Sequence, residues 1–187
     1  HLAARTQRAG RPHFAEQFID GREFNLSLLA GDVLPPAEID FDAFPPGKPR
    51  IVGRRAKWEP GSFEYRQTPR CFDFPAVDEP LLERVASYAA RCWDLFGLTG
   101  YARVDFRVDG DGQPWILEVN ANPCLSPDAG FAAALARAGI CFHEAVERIV
   151  EDARHLSGRL ASQRWDPASV ATSHDLSAPP RKSASWI

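Results

Sequence analysis

The stretch YARVDFRVDGDGQPWILEVNANP, from Tyr101 to Pro123, decides the fold. ARVDFRV and PWILEVN each alternate apolar and polar residues, and the DGDGQP between them is turn chemistry. The pattern predicts two antiparallel strands closed by a tight loop. Successive side chains leave a strand on opposite faces, so Arg103 and Asp105 share one face, as do Glu118 and Asn120 on the return strand. Closure across Gly110 to Gly112 brings the two pairs together. A face with two carboxylates, an amide oxygen and a guanidinium has two readings. One is the solvated side of an ordinary antiparallel sheet. The other is a nucleotide centre, in which hard oxygen ligands hold Mg2+ and leave positions for phosphate oxygens while the arginine neutralises phosphoryl charge. The polar loop NANPCLSPD directly after the second strand favours the centre, because sites gather in loops at strand ends.

Composition narrows the classes of function. The 187 residues are 44% apolar and 25% charged, enough to bury a core in one large domain or in a domain with appendages. A formal net charge of -3 without clustered Lys and Arg argues against general nucleic-acid binding. No apolar run approaches the roughly 20 residues that span a bilayer, and no secretory signal is present. No nucleic acid or membrane is therefore expected as a partner, and a cytoplasmic location is the default. Cys71, Cys92, Cys124 and Cys141 lack CxxC or Cys/His metal spacing, which suits reduced thiols. Three of them are expected to be packing residues. Cys124 stands apart in the loop after the ligand-bearing strand, where a nucleophilic role requires a nearby base and a lowered pKa. The chain starts at His1 and contains no Met, so a fragment or processed piece is expected.

Along the chain, HLAARTQRAGR resembles the last turns of a helix ending at Gly10. Pro12 to Ile19 predicts a strand, DGRE a turn and FNLSLLAG a second strand, with Glu16 and Glu23 flanking the turn. Each glutamate is either a solvent-facing strand residue or an acceptor for the polar edges of a bound nucleotide. Val33 to Pro60 is Pro-rich and predicts a long surface loop with short strands at Ala37 to Phe41 and Pro49 to Val52. Within it Lys57 is either a solvated cation or a phosphate ligand, with Arg54 and Arg55 as neighbours able to do the same work. Asp78 to Gly97 is the clearest helix: Asp78 is a candidate cap, Pro80 suits the first turn, and Leu82, Val85, Ala89, Cys92, Trp93 and Phe96 form the stripe expected to pack on the hairpin's sheet. Shorter helices follow over Asp128 to Arg137 and from His143 to about Leu156. The remainder, 157–187, is rich in Ser, Ala, Pro and charge and predicts a disordered tail.

The blocks FAEQFIDGREFNLSLLAG, AKW, RVDF with ILEVNANP, and AAALARAGICFHEAVERIVEDA together resemble the C-terminal part of D-alanine:D-alanine ligases in the ATP-grasp superfamily, over roughly residues 10–155. The resemblance implies an α+β fold, an antiparallel sheet flanked by helices. It partitions the chain into 1–12 as the end of an upstream lid subdomain, 13–156 as the ATP-grasp C-terminal subdomain, and the tail. It also implies an ADP-forming carboxylate-amine ligase working through an acyl phosphate, with ATP and Mg2+ (or Mn2+) as cofactors and a small amino-acid-like substrate. Glu16, Gln17, Phe18 and Ile19 are then the hinge along adenine, chiefly through the backbone of Gln17 and Ile19, and Glu23 takes the ribose hydroxyls. Lys57 meets phosphate, Phe106 and Leu117 wall the adenine, and Asp105, Glu118 and Asn120 carry the metal. Arg103 stabilises the transferring phosphoryl group.

Departures from the family bear on the substrate. Gln17 replaces a common Lys, Cys124 replaces a Gly, and Pro127-Asp128-Ala129 replaces a Thr/Ser-rich stretch that holds the second substrate's carboxylate. Asp128 is either a ligand for a cationic amine or, preferably, the cap of the following helix. The substrate-binding domain and lid of the family lie outside the sequence, so the isolated chain is expected to bind Mg-ATP weakly and turn over little. The alternative to a ligase portion is a catalytically inactive nucleotide-binding or interaction module, and a homodimer of the full-length ligase is left open.

Overall fold

The structure, a computed structural model, describes residues 2–162 and the side chains of residues 2–154. Helix α1 (Leu2–Ala9) precedes strands β1 (Arg22–Leu29), β2 (Asp32–Val33) and β3 (Ala37–Ile39). Helices α2 (Arg54–Trp58) and α3 (Phe63–Arg66), strand β4 (Arg70–Cys71) and helix α4 (Glu79–Leu95) follow. The hairpin β5 (Tyr101–Val108) and β6 (Pro114–Asn120) leads to α5 (Gly130–Arg137) and α6 (Phe142–Ser162). Six antiparallel strands form the sheet in the order β4-β3-β1-β5-β6, with β2 paired to β1.

The sheet has two unlike faces. Phe24, Leu26 and Leu28 of β1 and Val104, Phe106 and Val108 of β5 point to one side, where they bury with Val85, Ala89 and Cys92 of α4. Leu82 and Trp93 join the rim of this core. Phe96, expected to complete the stripe, lies in the last turn and is 60% exposed, because the chain leaves the sheet at Gly97, which takes φ +58. A second cluster, Leu29, Leu34, Phe131, Leu135 and Ala145, joins α5 and α6 to the sheet end. Asp152 Oδ2 accepts the Gly100 N–H at 2.6 Å there.

The hairpin forms as its alternation predicts, with Arg103 opposite Asn120 and Asp105 opposite Glu118. One feature is absent from the simple pattern. Phe106 pairs with Ile116, which leaves Leu117 as the extra residue of a β-bulge, and Ile116 and Leu117 are both about half exposed.

Several expectations are corrected. Pro12 to Ile19 forms no strand, because β3 and β5 already occupy both edges of the strand it leads into; Phe14 stays 80% exposed. The segment Val33 to Pro60 holds α2, and its strand at Pro49 to Val52 is missing. Ile39, Phe41 and Phe44 bury instead as a small core with Val52 beside them. Asp78 does not cap α4, since its carboxylate pairs with Arg22. Asp128 does not cap the next helix, which starts at Gly130 behind Ala129. Of the four cysteines only Cys92 is buried; Cys71 is half-buried, and Cys124 and Cys141 are exposed. The compact unit ends at Ala153, yet α6 continues to Ser162, so helix replaces tail over 157–162. The rest of the expected tail, with Trp165 and Trp186, lies outside the described residues. Among the described residues no helix is long and apolar enough to cross a membrane.

Candidate functional site

The face opposite α4 is polar, and strand register arranges it in rows. Glu23 of β1 stands opposite Arg107 of β5; Asn25, Asp105 and Glu118 make the next row; Ser27, Arg103 and Asn120 make the third. Period-two alternation sets the β1 and β5 members of each row, and the bulge at Leu117 shifts β6 by one residue so that Glu118 and Asn120 join them. Glu23, Ser27, Asp105 and Arg107 are buried, and Glu118 is exposed at the sheet edge. A buried row of charges is costly unless its members pair, and these do.

Arg103 grips Asp105 with both arms, Nε donating to Oδ1 at 2.7 Å and Nη2 to Oδ2 at 2.8 Å. Asn25 Nδ2 donates to the same Oδ1 at 2.9 Å. Burial works against the charge on Arg103, but Asp105, Glu118 and Glu23 together outweigh it and hold the guanidinium above its usual range. Glu23 behaves in the opposite way. Burial pushes its carboxyl up and Asp105 adds to this, while Arg107 and Lys57 oppose it. Lys57, exposed in the last turn of α2, is thus electrically coupled to the Glu23 end of the site.

Asp105, Glu118 and Asn120 present two carboxylates and an amide oxygen at adjacent register positions, an all-oxygen set that suits Mg2+ or Mn2+. Among the described residues no three His, Cys, Asp or Glu side chains gather as a metal cluster. An ion held by this set would draw the rest of its coordination from water and phosphate, as Mg2+ does in nucleotide sites. Asn120 Oδ1 also accepts the Asn122 N–H at 2.9 Å, which fixes the start of the loop beyond the strand.

The structure brings together most of the residues singled out in the sequence, with one correction. Phe106 is fully buried in the α4 core, on the wrong face for an adenine wall, because its strand neighbours Asp105 and Arg107 take the site face. Leu117 stays exposed at the bulge, and Glu16, Gln17 and Phe18 are exposed in the segment before β1, with Ile19 half-buried. Cys124 is exposed; its Sγ hydrogen-bonds the Ser126 Oγ at 3.2 Å, which lowers the thiol pKa, but no base adjoins it in that contact. Sequence reasoning missed Arg107 and Asn25. The signal for Arg107 was present, since ARVDFRV places it in phase with Arg103 and Asp105. Asn25 needed the β1–β5 register.

This antiparallel sheet backed by helices has the fold of the C-terminal portion of ATP-grasp ligases. Comparison with known proteins agrees. The family described as D-ala D-ala ligase C-terminus matches residues 6–151. The chain belongs to this family. It is 37% identical over 140 residues to a D-alanine–D-alanine ligase of Synechococcus sp. (strain JA-3-3Ab), covering 75% of this chain and 40% of that protein. It is 35% identical over 159 residues to the ligase of Synechococcus sp. (strain JA-2-3B'a(2-13)), covering 85% and 45%. Among solved structures, the Bacillus anthracis D-alanine–D-alanine ligase complexed with ATP superposes with TM-score 0.59 at 24% identity, over 77% of this chain and 42% of that one. The chain thus spans about two fifths of the length of these relatives.

Proposed function

We propose that the chain forms the ATP- and Mg2+-binding portion of an ADP-forming carboxylate-amine ligase of the D-alanine–D-alanine kind, which activates a carboxylate as an acyl phosphate before an amine attacks. The observation that carries the reading is the Asp105–Glu118 and Arg103–Asn120 register on one sheet face. The ATP-bound relative supports the cofactor and the relatives' names support a D-alanine-like substrate. A divalent ion, when bound, neutralises phosphate charge and aligns the phosphoryl group for in-line transfer. Asp105, Glu118 and Asn120 would hold it. Arg103, half-buried beside Asp105, places a fixed positive charge where the phosphoryl group passes from ATP to the carboxylate oxygen. Lys57 meets phosphate, Glu23 accepts from ribose hydroxyls, and Leu117 with the backbone of Glu16 to Ile19 receives the base. The lack of a strand partner for that segment supports this use, since its amides and carbonyls are not consumed by a strand ladder. Helix α1 buries no side chain, and we assign it to a neighbouring lid subdomain.

In the protein at its natural length, Asp105→Asn and Glu118→Gln are each expected to weaken MgATP binding at least about tenfold in calorimetric titration and to abolish D-alanine-dependent phosphate release. Unaltered MgATP affinity in both variants would return the acidic face to the status of a solvated sheet surface. The bidentate Arg103–Asp105 bond favours one second reading, a nucleotide-binding module without turnover. Tight MgATP binding by the wild-type protein with no phosphate release in the presence of D-alanine supports that module instead.

A further inference from the structure

Arg107 has no place in the phosphoryl chemistry, yet it is the most heavily engaged side chain on the polar face. Its side chain is 4% exposed and reaches three separate segments. Nη2 lies 3.0 Å from Glu23 Oε2. Nη1 donates to the Gly21 carbonyl at 2.8 Å, and Nη2 donates to the Arg50 carbonyl. The guanidinium carbon sits 5.6 Å from the Phe18 ring centroid and 5.4 Å from that of Phe41. Only arginine combines a permanent charge, a planar fork for several acceptors and faces that stack on aromatic rings.

We propose that Arg107 is a positioning residue for the nucleoside end of the bound nucleotide: it locks Glu23, the Phe18–Gly21 segment and the Arg50 loop into one rigid receptor for ribose and base. The inference rests on the nucleotide site proposed above and adds the residue that shapes its nucleoside half. The ion pair reaches Oε2, and a carboxylate has acceptor sites enough to take a ribose hydroxyl as well. The ring contact restrains Phe18, a residue otherwise 51% exposed in a segment with no strand partner. Positioning of this kind raises affinity by removing motion before the ligand arrives.

The inference separates the two ends of the ligand, and the test does the same. In the protein at its natural length, Arg107→Met is expected to weaken binding of adenosine and of MgATP about tenfold while leaving magnesium triphosphate within about twofold of wild type. Equal loss of adenosine and triphosphate, or loss of neither, overturns the proposal. A pH series adds a readout that a merely structural role would not move. The charged groups acting on Glu23 are Arg107, Asp105 and Arg103 of β5 and Lys57 of α2. Without Arg107, Glu23 takes up a proton at higher pH, so adenosine affinity of the variant falls on acidification at a higher pH than that of the wild type; curves that fall at the same pH count against the proposal. If Arg107→Met does not fold, Arg107→Lys keeps the charge beside Glu23 but lacks the fork. It is expected to lose adenosine affinity several-fold with triphosphate unchanged, and wild-type adenosine binding by this variant overturns the proposal. Failure of the wild-type protein to bind MgATP removes the nucleotide reading and this inference together. Binding that Asp105→Asn abolishes and Arg107→Met spares removes this inference alone.

Discussion

Glu23 shows how much one position depends on its surroundings. As a residue in a strand it is an ordinary solvent-facing carboxylate; in the folded chain it is 7% exposed and faces Arg107. Gly21, two residues earlier, makes that arrangement possible. It takes φ +150, and a Cβ there would lie 1.9 Å from the Val108 carbonyl oxygen, so no side chain fits between the incoming segment and β5. Its own carbonyl is one of the acceptors for Arg107. Gly21→Ala is therefore expected to cost about 3 kcal/mol or more in chemical denaturation, combining backbone strain with displacement of β5. A midpoint within error of wild type would mean the chain turns here by another route.

Elements are joined by polar clamps as well as by the core. Where β1, β3 and α4 meet, Arg22 donates Nε to Glu38 Oε1 at 2.8 Å and Nη1 to Asp78 Oδ1 at 2.9 Å, each part of a two-armed contact. The bond from Arg22 pushes the Asp78 carboxyl below its ordinary 3.8. A carboxyl lowered in the folded state stabilises the protein fully above its unfolded pKa and loses that contribution as pH falls through the folded value. Asp78→Asn is thus expected to cost about 1–2 kcal/mol at neutral pH, with the difference from wild type closing as the pH drops below 3.8. A pH-independent difference in denaturation midpoint would assign the cost to packing rather than charge. The same clamp explains why the Asp-Glu-Pro start of α4 misled as a cap signal. A side chain can serve the helix terminus or a partner across the sheet, and a bidentate bond to Arg22 is the stronger offer.

Across the whole molecule, the sheet divides stability from chemistry. Its α4 face is apolar and closed; its other face is charged and reaches the edge at Glu118. Val85→Ala, on the far side of the sheet from Asp105, is expected to lower stability by about 2 kcal/mol yet leave MgATP affinity unchanged at temperatures where the protein is folded. A parallel fall in affinity would show that the two faces are coupled through the strands. Periodicity determined the two strands of the hairpin, the shared face of Arg103 with Asp105 and of Glu118 with Asn120, and the stripe of α4, because side-chain direction in strands and helices repeats at 2 and 3.6 residues whatever the partner. The fold class came from the resemblance of four ordered blocks to the ligase family. Tertiary structure decided the rest. It left Pro12 to Ile19 without a strand partner, inserted the bulge at Leu117 that brings Glu118 and Asn120 opposite Asp105 and Arg103, and turned Asp78 from cap to clamp. These outcomes depend on which strand edge is already occupied and which opposite charge comes within hydrogen-bonding distance across tens of residues. Neither is a property of any local stretch.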